Sequence, residues 1–116
     1  MRRVLIVDDN PAILVILKII LEENDFKVIG MALNGEEAIS MFKSFSNKPD
    51  LIIMDYRMPI KHGIDATKEI LKVDKAARII IISGDLGVRE QAFKSGAQGF
   101  LKKPFSIENV IEKIES

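Results

Sequence analysis

The sequence reads VLIVDD at residues 4–9 and LIIMD at residues 51–55. Both stretches are continuous apolar runs followed by acidic residues. Ile79–Ile82 is a third continuous apolar run, and Ser83 follows it. A strand with one solvated side alternates apolar and polar residues, whereas a strand covered on both faces is apolar throughout. The three runs therefore predict central strands of a parallel sheet with helices on both of its faces.

Strand-like runs and segments with helical spacing alternate along the whole chain. Strands are expected at Val4–Val7, Val28–Leu33, Leu51–Met54, Ile79–Ile82 and Gly99–Leu101. Helices are expected between and after them, at Ile13–Leu21, Glu36–Phe45, Asp65–Val73, Val88–Lys94 and Ile107–Ile114. Five such alternations imply parallel strands joined by right-handed crossovers. We therefore predict an α/β fold of the flavodoxin-like, doubly wound (βα)5 class, with a five-stranded parallel sheet in the order 2-1-3-4-5.

Length and composition limit the class of protein. A chain of 116 residues has room for one domain, expected to span residues 1–116. Lys plus Arg and Asp plus Glu both total 17, so the basic excess that direct nucleic-acid binding requires is missing. The chain contains no Cys, which excludes disulfide and zinc–thiolate sites. No apolar stretch approaches the length of about 20 residues that a membrane span needs, so we expect a cytoplasmic protein.

Acidic residues stand at the carboxyl ends of two predicted strands. Asp8 and Asp9 follow strand 1, and Asp55 follows the apolar run of strand 3. Pro11 suits the first position of a helix, which makes Asn10 the expected N-cap. Taken alone, the first two aspartates fit a capping role as well as a functional one, and Asp55 alone could simply begin a loop. Function in a doubly wound sheet nevertheless belongs at this edge, where the strand order reverses.

The expected adjacency of strands 1 and 3 would bring the three carboxylates into one pocket. Like charges ~5 Å apart repel by about 3 kcal/mol per pair at an effective dielectric constant near 20, so such a cluster calls for a cation. A ligand set of oxygens alone favours a hard ion, and a three-carboxylate site that keeps bound water suits Mg²⁺ better than Ca²⁺. We therefore expect a magnesium site.

Two more polar groups follow strands 4 and 5. Ser83 ends strand 4, and Lys102-Lys103-Pro104 ends strand 5. Each signal is weak alone, because Ser-Gly after a strand is usually a turn and lysines before a proline often lie in solvent. A cation, a carboxylate, a hydroxyl and a lysine at one place are, however, the parts of a phosphoryl site. A carboxylate can itself be the nucleophile and form an aspartyl phosphate.

The chain resembles the receiver domain of two-component response regulators over essentially its whole length, and the single-domain CheY-like members are closest to it in size. The ordered set of motifs is highly specific. It comprises Val4–Asp9, Met54-Asp55, Met58-Pro59, Gly63, Ser83, Ala97, Gly99-Phe100 and Lys103-Pro104-Phe105.

The resemblance implies a metal site and a phosphoacceptor. Asp55 would accept the phosphoryl group and would bind Mg²⁺ together with Asp9 and the backbone carbonyl of Arg57. Asp8 would act on the ion mostly through water.

The resemblance also implies how the phosphoryl group is bound and sensed. Ser83 and Lys103 would contact the phosphoryl group, whereas Lys102 would point elsewhere. The peptide bond before Pro104 is expected to be cis. Phe100 occupies the switch-aromatic position, where its ring would pack inward or outward according to the state of Ser83. Since Phe has no hydroxyl, such a switch would act through packing alone.

Some positions are particular to this chain. Arg57 and Asp85 stand where the family tunes phosphoryl lifetime, and we expect their opposite charges to pair across the site mouth and hinder the hydrolytic water. The stretch between Ser83 and Phe100 is somewhat shorter than is usual, which affects the start of helix 4. His62 is expected to be exposed, and no second His or Cys exists to build a transition-metal site around it.

The resemblance implies a signalling switch rather than an enzyme. A sensor histidine kinase or a phosphotransfer protein would donate to Asp55, and the domain would catalyse only its own phosphotransfer and dephosphorylation. Phosphorylation would bias helix 4, strand 5 and helix 5, and a downstream protein or a second copy would bind that face. We expect no DNA-binding or catalytic output domain after Ser116, so the output would pass by protein contact.

Three other interpretations compete with this one. A flavin-binding electron carrier of the same fold needs a Ser/Thr-rich phosphate loop after strand 1, where Asp8-Asp9 would repel a phosphate. A phosphatase of the haloacid dehalogenase type places its nucleophile in an Asp-x-Asp motif there, whereas this sequence has Asp8-Asp9-Asn10. A pseudo-receiver that acts only by binding would usually lack an acidic or lysine position, and this chain retains all of them.

Overall fold

A computed structural model describes residues 2–115, the side chain of Ile107 apart; Met1 and Ser116, the ends of the predicted domain, lie outside the described residues. The strands are β1 (Arg2–Val7), β2 (Phe26–Ala32), β3 (Leu51–Asp55), β4 (Ile79–Ser83) and β5 (Gly99–Lys102). They form one sheet in the order β2-β1-β3-β4-β5, and every neighbouring pair is parallel. The predicted fold class and strand order are confirmed.

Five helices connect and follow the strands. They are α1 (Pro11–Glu23), α2 (Gly35–Ser44), α3 (Gly63–Val73), α4 (Arg89–Lys94) and α5 (Ile107–Glu115). Within residues 2–115, none of these helices has both the length and the apolar character that crossing a membrane requires.

The central strands are buried on both faces, as their continuous apolar runs predict. Successive residues of a strand point to opposite faces of the sheet, so Val4 and Ile6 join one core cluster while Leu5 and Val7 join the other. One cluster contains side chains of α1 and α5, and the other contains side chains of α2, α3 and α4. Helices therefore cover both faces, and the polar strand ends remain at one open edge.

Helix caps fix where the helices begin near that edge. The Asn10 side chain accepts from the Ala12 amide at 3.0 Å, with Pro11 at the first helical position, so the predicted cap of α1 is confirmed. At α5, the Ser106 hydroxyl accepts from the Asn109 amide at 3.1 Å and caps that helix in the same way.

Several predicted boundaries were wrong by a few residues. Strand β2 begins at Phe26 and ends at Ala32, so its predicted last residue, Leu33, lies outside it. Helix α3 begins two residues early, at Gly63. The predicted fourth helix, Val88–Lys94, is divided: a 3-10 turn at Leu86–Val88 precedes α4 proper. The Asp85 side chain accepts from the Gly87 amide at 2.8 Å and so stabilises this turn.

Candidate phosphoryl and metal site

Three carboxylates meet at the carboxyl edge of β1 and β3. Val7 of β1 pairs with Met54 of β3, so the residues that follow, Asp8 and Asp55, stand side by side. Together with Asp9 they place one carboxylate oxygen each within 4.8 Å of the others. Asp8 and Asp55 are buried and Asp9 is exposed. The cluster expected from the strand order is therefore present and has one side open to solvent.

The lysine that directly follows β5 contacts the carboxylates of both buried aspartates. The Lys103 Nζ lies 2.9 Å from Asp55 Oδ1 and 3.3 Å from Asp8 Oδ2. The neighbouring Lys102 is exposed, and its Nζ donates to the Lys103 carbonyl at 3.3 Å. The peptide bond between Lys103 and Pro104 is cis, as the resemblance implies. Of the two adjacent lysines, Lys103 contacts the carboxylates and Lys102 does not.

Burial and charge act in opposite directions on the pKa values of this pair. Burial raises the pKa of Asp55, the neighbouring Asp8 and Asp9 charges add to the rise, and the hydrogen bond from Lys103 only partly opposes it. Burial would by itself lower the pKa of Lys103, but its hydrogen bond to Asp55 and the charges of both acids outweigh burial and raise that pKa. The site therefore has more negative charge than one ammonium neutralises, which is the condition under which a cation binds.

Ser83 lies at the end of β4 beside a cavity that adjoins Asp55. Its buried Oγ accepts from the Asp85 amide at 3.0 Å, which leaves the hydroxyl hydrogen available to donate. The cavity measures about 350 Å³ and is lined by Asp55, Arg57, Ser83, Gly84, Asp85 and Lys103. A small tetrahedral anion fits in this space, between a hydroxyl and an ammonium.

Two opposite charges stand at the mouth of the cavity. The Arg57 Nη2 lies 4.0 Å from the Asp85 Oδ2, and both side chains are more than half exposed. An exposed pair at this distance contributes little to stability, about 0–1 kcal/mol.

Phe100, in the middle of β5, is buried at 5% exposure and belongs to the core cluster beneath α2, α3 and α4. Of the two orientations considered for its ring, the structure has the inward one. The ring also contributes to a groove between β5, α5 and the turn before α4, lined by Leu86, Arg89, Phe100, Leu101, Lys102, Pro104, Asn109, Glu112 and Lys113.

Sequence reasoning missed the role of His62. It is half-buried rather than exposed, because it is the N-cap of α3: Nδ1 accepts from the Asp65 amide at 3.3 Å. Its ring lies 5.2 Å from the ring of Tyr56, between centroids. The next residue, Gly63, lies so close to Asp55 that a Cβ there would overlap the Asp55 carbonyl oxygen. The spacing from His62 to Asp65 could have signalled a cap, but His is not among the usual capping residues.

Comparisons with known proteins identify the family. The sequence pattern described as response regulator receiver domain matches residues 4–115. The chain is 43% identical over 115 residues to the chemotaxis protein CheY of Thermotoga maritima, covering 97% of this chain and 94% of that protein. It is 42% identical over 114 residues to CheY of Bacillus subtilis, covering 97% and 93%.

Solved structures agree with the sequence relatives. A chain of the CheX–CheY complex of Borrelia burgdorferi with BeF3 and Mg²⁺ superposes with a TM-score of 0.92 at 32% identity, covering 97% of this chain and 86% of that one. The response regulator TrrA of Thermotoga maritima, in complex with Mg²⁺ and beryllofluoride, gives 0.89 at 36% identity, covering 99% and 97%. The chain belongs to the response regulator receiver domain family and is CheY-like. This is a family of signalling domains rather than of classical enzymes.

Proposed function

We propose that the chain is a phosphorylation-dependent switch in which Asp55 accepts a phosphoryl group. The observation that carries this proposal is the contact of Lys103 with both Asp55 and Asp8, beside three carboxylates whose oxygens lie within 4.8 Å of one another. A purely structural ion pair would not need a third acid or an adjoining cavity.

The residues fit Mg²⁺ as the cofactor. Asp9, Asp55 and the backbone carbonyl of Arg57 would hold the ion, with Asp8 acting through water. All of these donors are oxygens, and neither His nor Cys lies in the cluster, which favours a hard cation. When bound, the ion offsets the negative charge of the acids and of the phosphoryl oxygens.

The chain's own groups then perform the transfer. An oxygen of the Asp55 carboxylate forms a bond to phosphorus while the phosphorus–nitrogen bond of a donor phosphohistidine breaks, and solvent supplies the proton that the leaving imidazole takes up. The Lys103 ammonium balances charge on the transferred group. Ser83 donates its hydroxyl hydrogen to a phosphoryl oxygen, since the Asp85 amide already uses its acceptor. Positioning and charge balance are the main means by which proteins promote such transfers.

The output would follow from the movement of Ser83 toward the phosphoryl group, with Phe100 responding by packing. The groove that Phe100 lines lies on the face of α4, β5 and α5, where a downstream protein or a second copy would bind. The phosphoryl donor would be a sensor histidine kinase or a phosphotransfer protein in the cytoplasm. Direct nucleic-acid binding is not part of this proposal, since the formal net charge is zero.

The test is phosphorylation by acetyl phosphate, followed by intact mass, with Mg²⁺ or with EDTA. We expect wild type to gain one phosphoryl group only with Mg²⁺ and Asp55→Asn to gain none. Asp25→Asn is the matched control, because Asp25 is an exposed acid before the start of β2 with φ of 66°, a conformation that Asn tolerates. Modification of Asp55→Asn would refute the proposal, and repeated hydrolysis of phosphomonoesters would favour the phosphatase instead.

A further inference from the structure

The loop at residues 56–62, between β3 and α3, is attached to helix α2 near the loop's C-terminal end, at Lys61. The Lys61 carbonyl accepts from the Gly35 amide at 3.0 Å. A Cβ on Gly35 would lie 2.5 Å from that carbonyl oxygen, so the two backbones approach as closely as they do only because residue 35 is glycine. The same loop begins next to Asp55 and contains Arg57, whose carbonyl belongs to the proposed cation site.

The Lys61 side chain adds a second attachment, to two helices at once. Its Nζ lies 2.9 Å from Glu36 Oε1 in the first turn of α2 and also contacts Glu69 Oε2 of α3. The side chain is only 23% exposed. Hydrogen bonds to Glu69 and then to Glu36 raise the pKa of Lys61, so it remains charged at neutral pH. An ammonium shared by two helices restricts the loop more than an exposed pair on one helix does.

The loop needs such restriction, because it contains a strained residue. Ile60 has φ of 70° and is 78% exposed. A β-branched residue is disfavoured in the left-handed region and stays there only when its surroundings hold it. The Gly63 amide donates to the Tyr56 carbonyl at 2.9 Å, and this hydrogen bond joins the two ends of the loop. Lys61 directly follows Ile60, and its contacts with α2 and α3 restrict the backbone at this position.

We propose that Lys61 is a positioning residue for the cation: by joining the loop to α2 and α3, it holds the Arg57 carbonyl and the Asp55 carboxylate in the arrangement that binds a divalent ion. The inference rests on the proposed cation site but not on phosphoryl transfer.

The direction in which Mg²⁺ affinity changes distinguishes a positioning role of Lys61 from a purely electrostatic one. Removing a lysine leaves Glu36 and Glu69 uncompensated and makes this part of the protein more negative, so charge alone would strengthen Mg²⁺ binding. Loss of positioning would weaken it instead. Lys61→Met keeps most of the aliphatic stem and removes the ammonium, which makes it the informative variant.

The experiment is a Mg²⁺ titration followed by the fluorescence of Tyr56, the only Tyr in a chain without Trp. We expect Lys61→Met to raise the dissociation constant about tenfold, the low end of the effect of removing a group that orients a metal ligand. Lys61→Arg should restore it. Lys94→Met is the control, since it removes the 3.2 Å pair with Glu90, in which both side chains are more than 70% exposed.

Hydrogen exchange of the metal-free protein provides a second readout. We expect the amides of residues 56–62 to exchange faster in Lys61→Met while those of β1 and β3 stay as protected as in wild type. Unchanged or tighter Mg²⁺ binding in Lys61→Met, or failure of Lys61→Arg to restore it, would overturn the inference. Because neither readout involves phosphoryl transfer, that failure would leave the proposed function standing. Weaker Mg²⁺ binding in Lys61→Met, in a protein whose Asp55 is never phosphorylated, would remove only the proposed function.

Discussion

Lys103→Met tests whether the lysine offsets a surplus of buried negative charge. The substitution removes the ammonium that lies 2.9 Å from Asp55 and 3.3 Å from Asp8, whose side chains are 7% and 2% exposed. Two carboxylates within 4.8 Å repel by about 3 kcal/mol at an effective dielectric constant of 20.

Breaking a buried pair costs about 3–5 kcal/mol. The Lys103 side chain is 31% exposed, so we take the low end, about 3 kcal/mol of unfolding free energy. For a domain of this size that loss lowers Tm by about 10–15 °C.

The loss should depend on conditions in a defined way. Mg²⁺ supplies the missing positive charge, so saturating Mg²⁺ should recover most of the Tm of Lys103→Met. The raised pKa of Asp55 should rise further without its partner, so acidic pH should also shrink the difference from wild type, because a proton then replaces the ammonium. The double variant with Asp55→Asn should lose less than Lys103→Met alone.

The assay is thermal unfolding followed by circular dichroism, in EDTA and in Mg²⁺, at neutral and acidic pH. Lys102→Met is the matched control: its Nζ donates to a backbone carbonyl at 3.3 Å, and we expect a change below about 0.5 kcal/mol. An equal loss for Lys103→Met with and without Mg²⁺, or no loss in EDTA, would show that Lys103 does not offset surplus negative charge at this site.

The raised pKa of Asp55, the close approach of Gly63 and the charge pair at the site mouth each have a measurable consequence. Lowering the pH should weaken Mg²⁺ binding to wild type, measured by Tyr56 fluorescence. Because the pKa of Asp55 is raised above the ordinary value of 3.8, protons compete for that carboxylate at pH values above 3.8. Mg²⁺ binding that is independent of pH down to 4 would contradict this. Gly63→Ala should cost about 1–3 kcal/mol in denaturant unfolding, since its Cβ overlaps the Asp55 carbonyl, and unchanged stability would disprove that overlap. Arg57→Ala should speed loss of the phosphoryl group in a mass time course, because its pairing with Asp85 at 4.0 Å partly closes the site mouth; an unchanged rate would exclude this role.

The strands and the acidic cluster could be predicted because they depend on local patterns. Continuous apolar runs such as Ile79–Ile82 indicate burial on both faces, and the strand order then brings Asp8 and Asp55 together. The lysine that reaches them could not be chosen from the pattern, since Lys102 and Lys103 are adjacent and chemically identical. At the level of sequence, only the resemblance to a family separated them.

The attachment of the loop at residues 56–62 could not be predicted, because it depends on contacts between distant parts of the chain. Lys61 contacts a glutamate on α2 and another on α3, and nothing in the local sequence around any of the three specifies that meeting. The cap by His62 was missed for a different reason: its imidazole replaces the oxygen acceptor that is usual at this position.

Locating the modified residue shows whether Asp55 is the phosphoacceptor. After treatment with acetyl phosphate, borohydride reduces an acyl phosphate on aspartate to homoserine, which peptide mass mapping assigns to a position. We predict homoserine at position 55 alone, and only when Mg²⁺ is present. Homoserine at position 8 or 9, or at position 55 in EDTA, would contradict the assignment of Asp55 as the Mg²⁺-dependent phosphoacceptor.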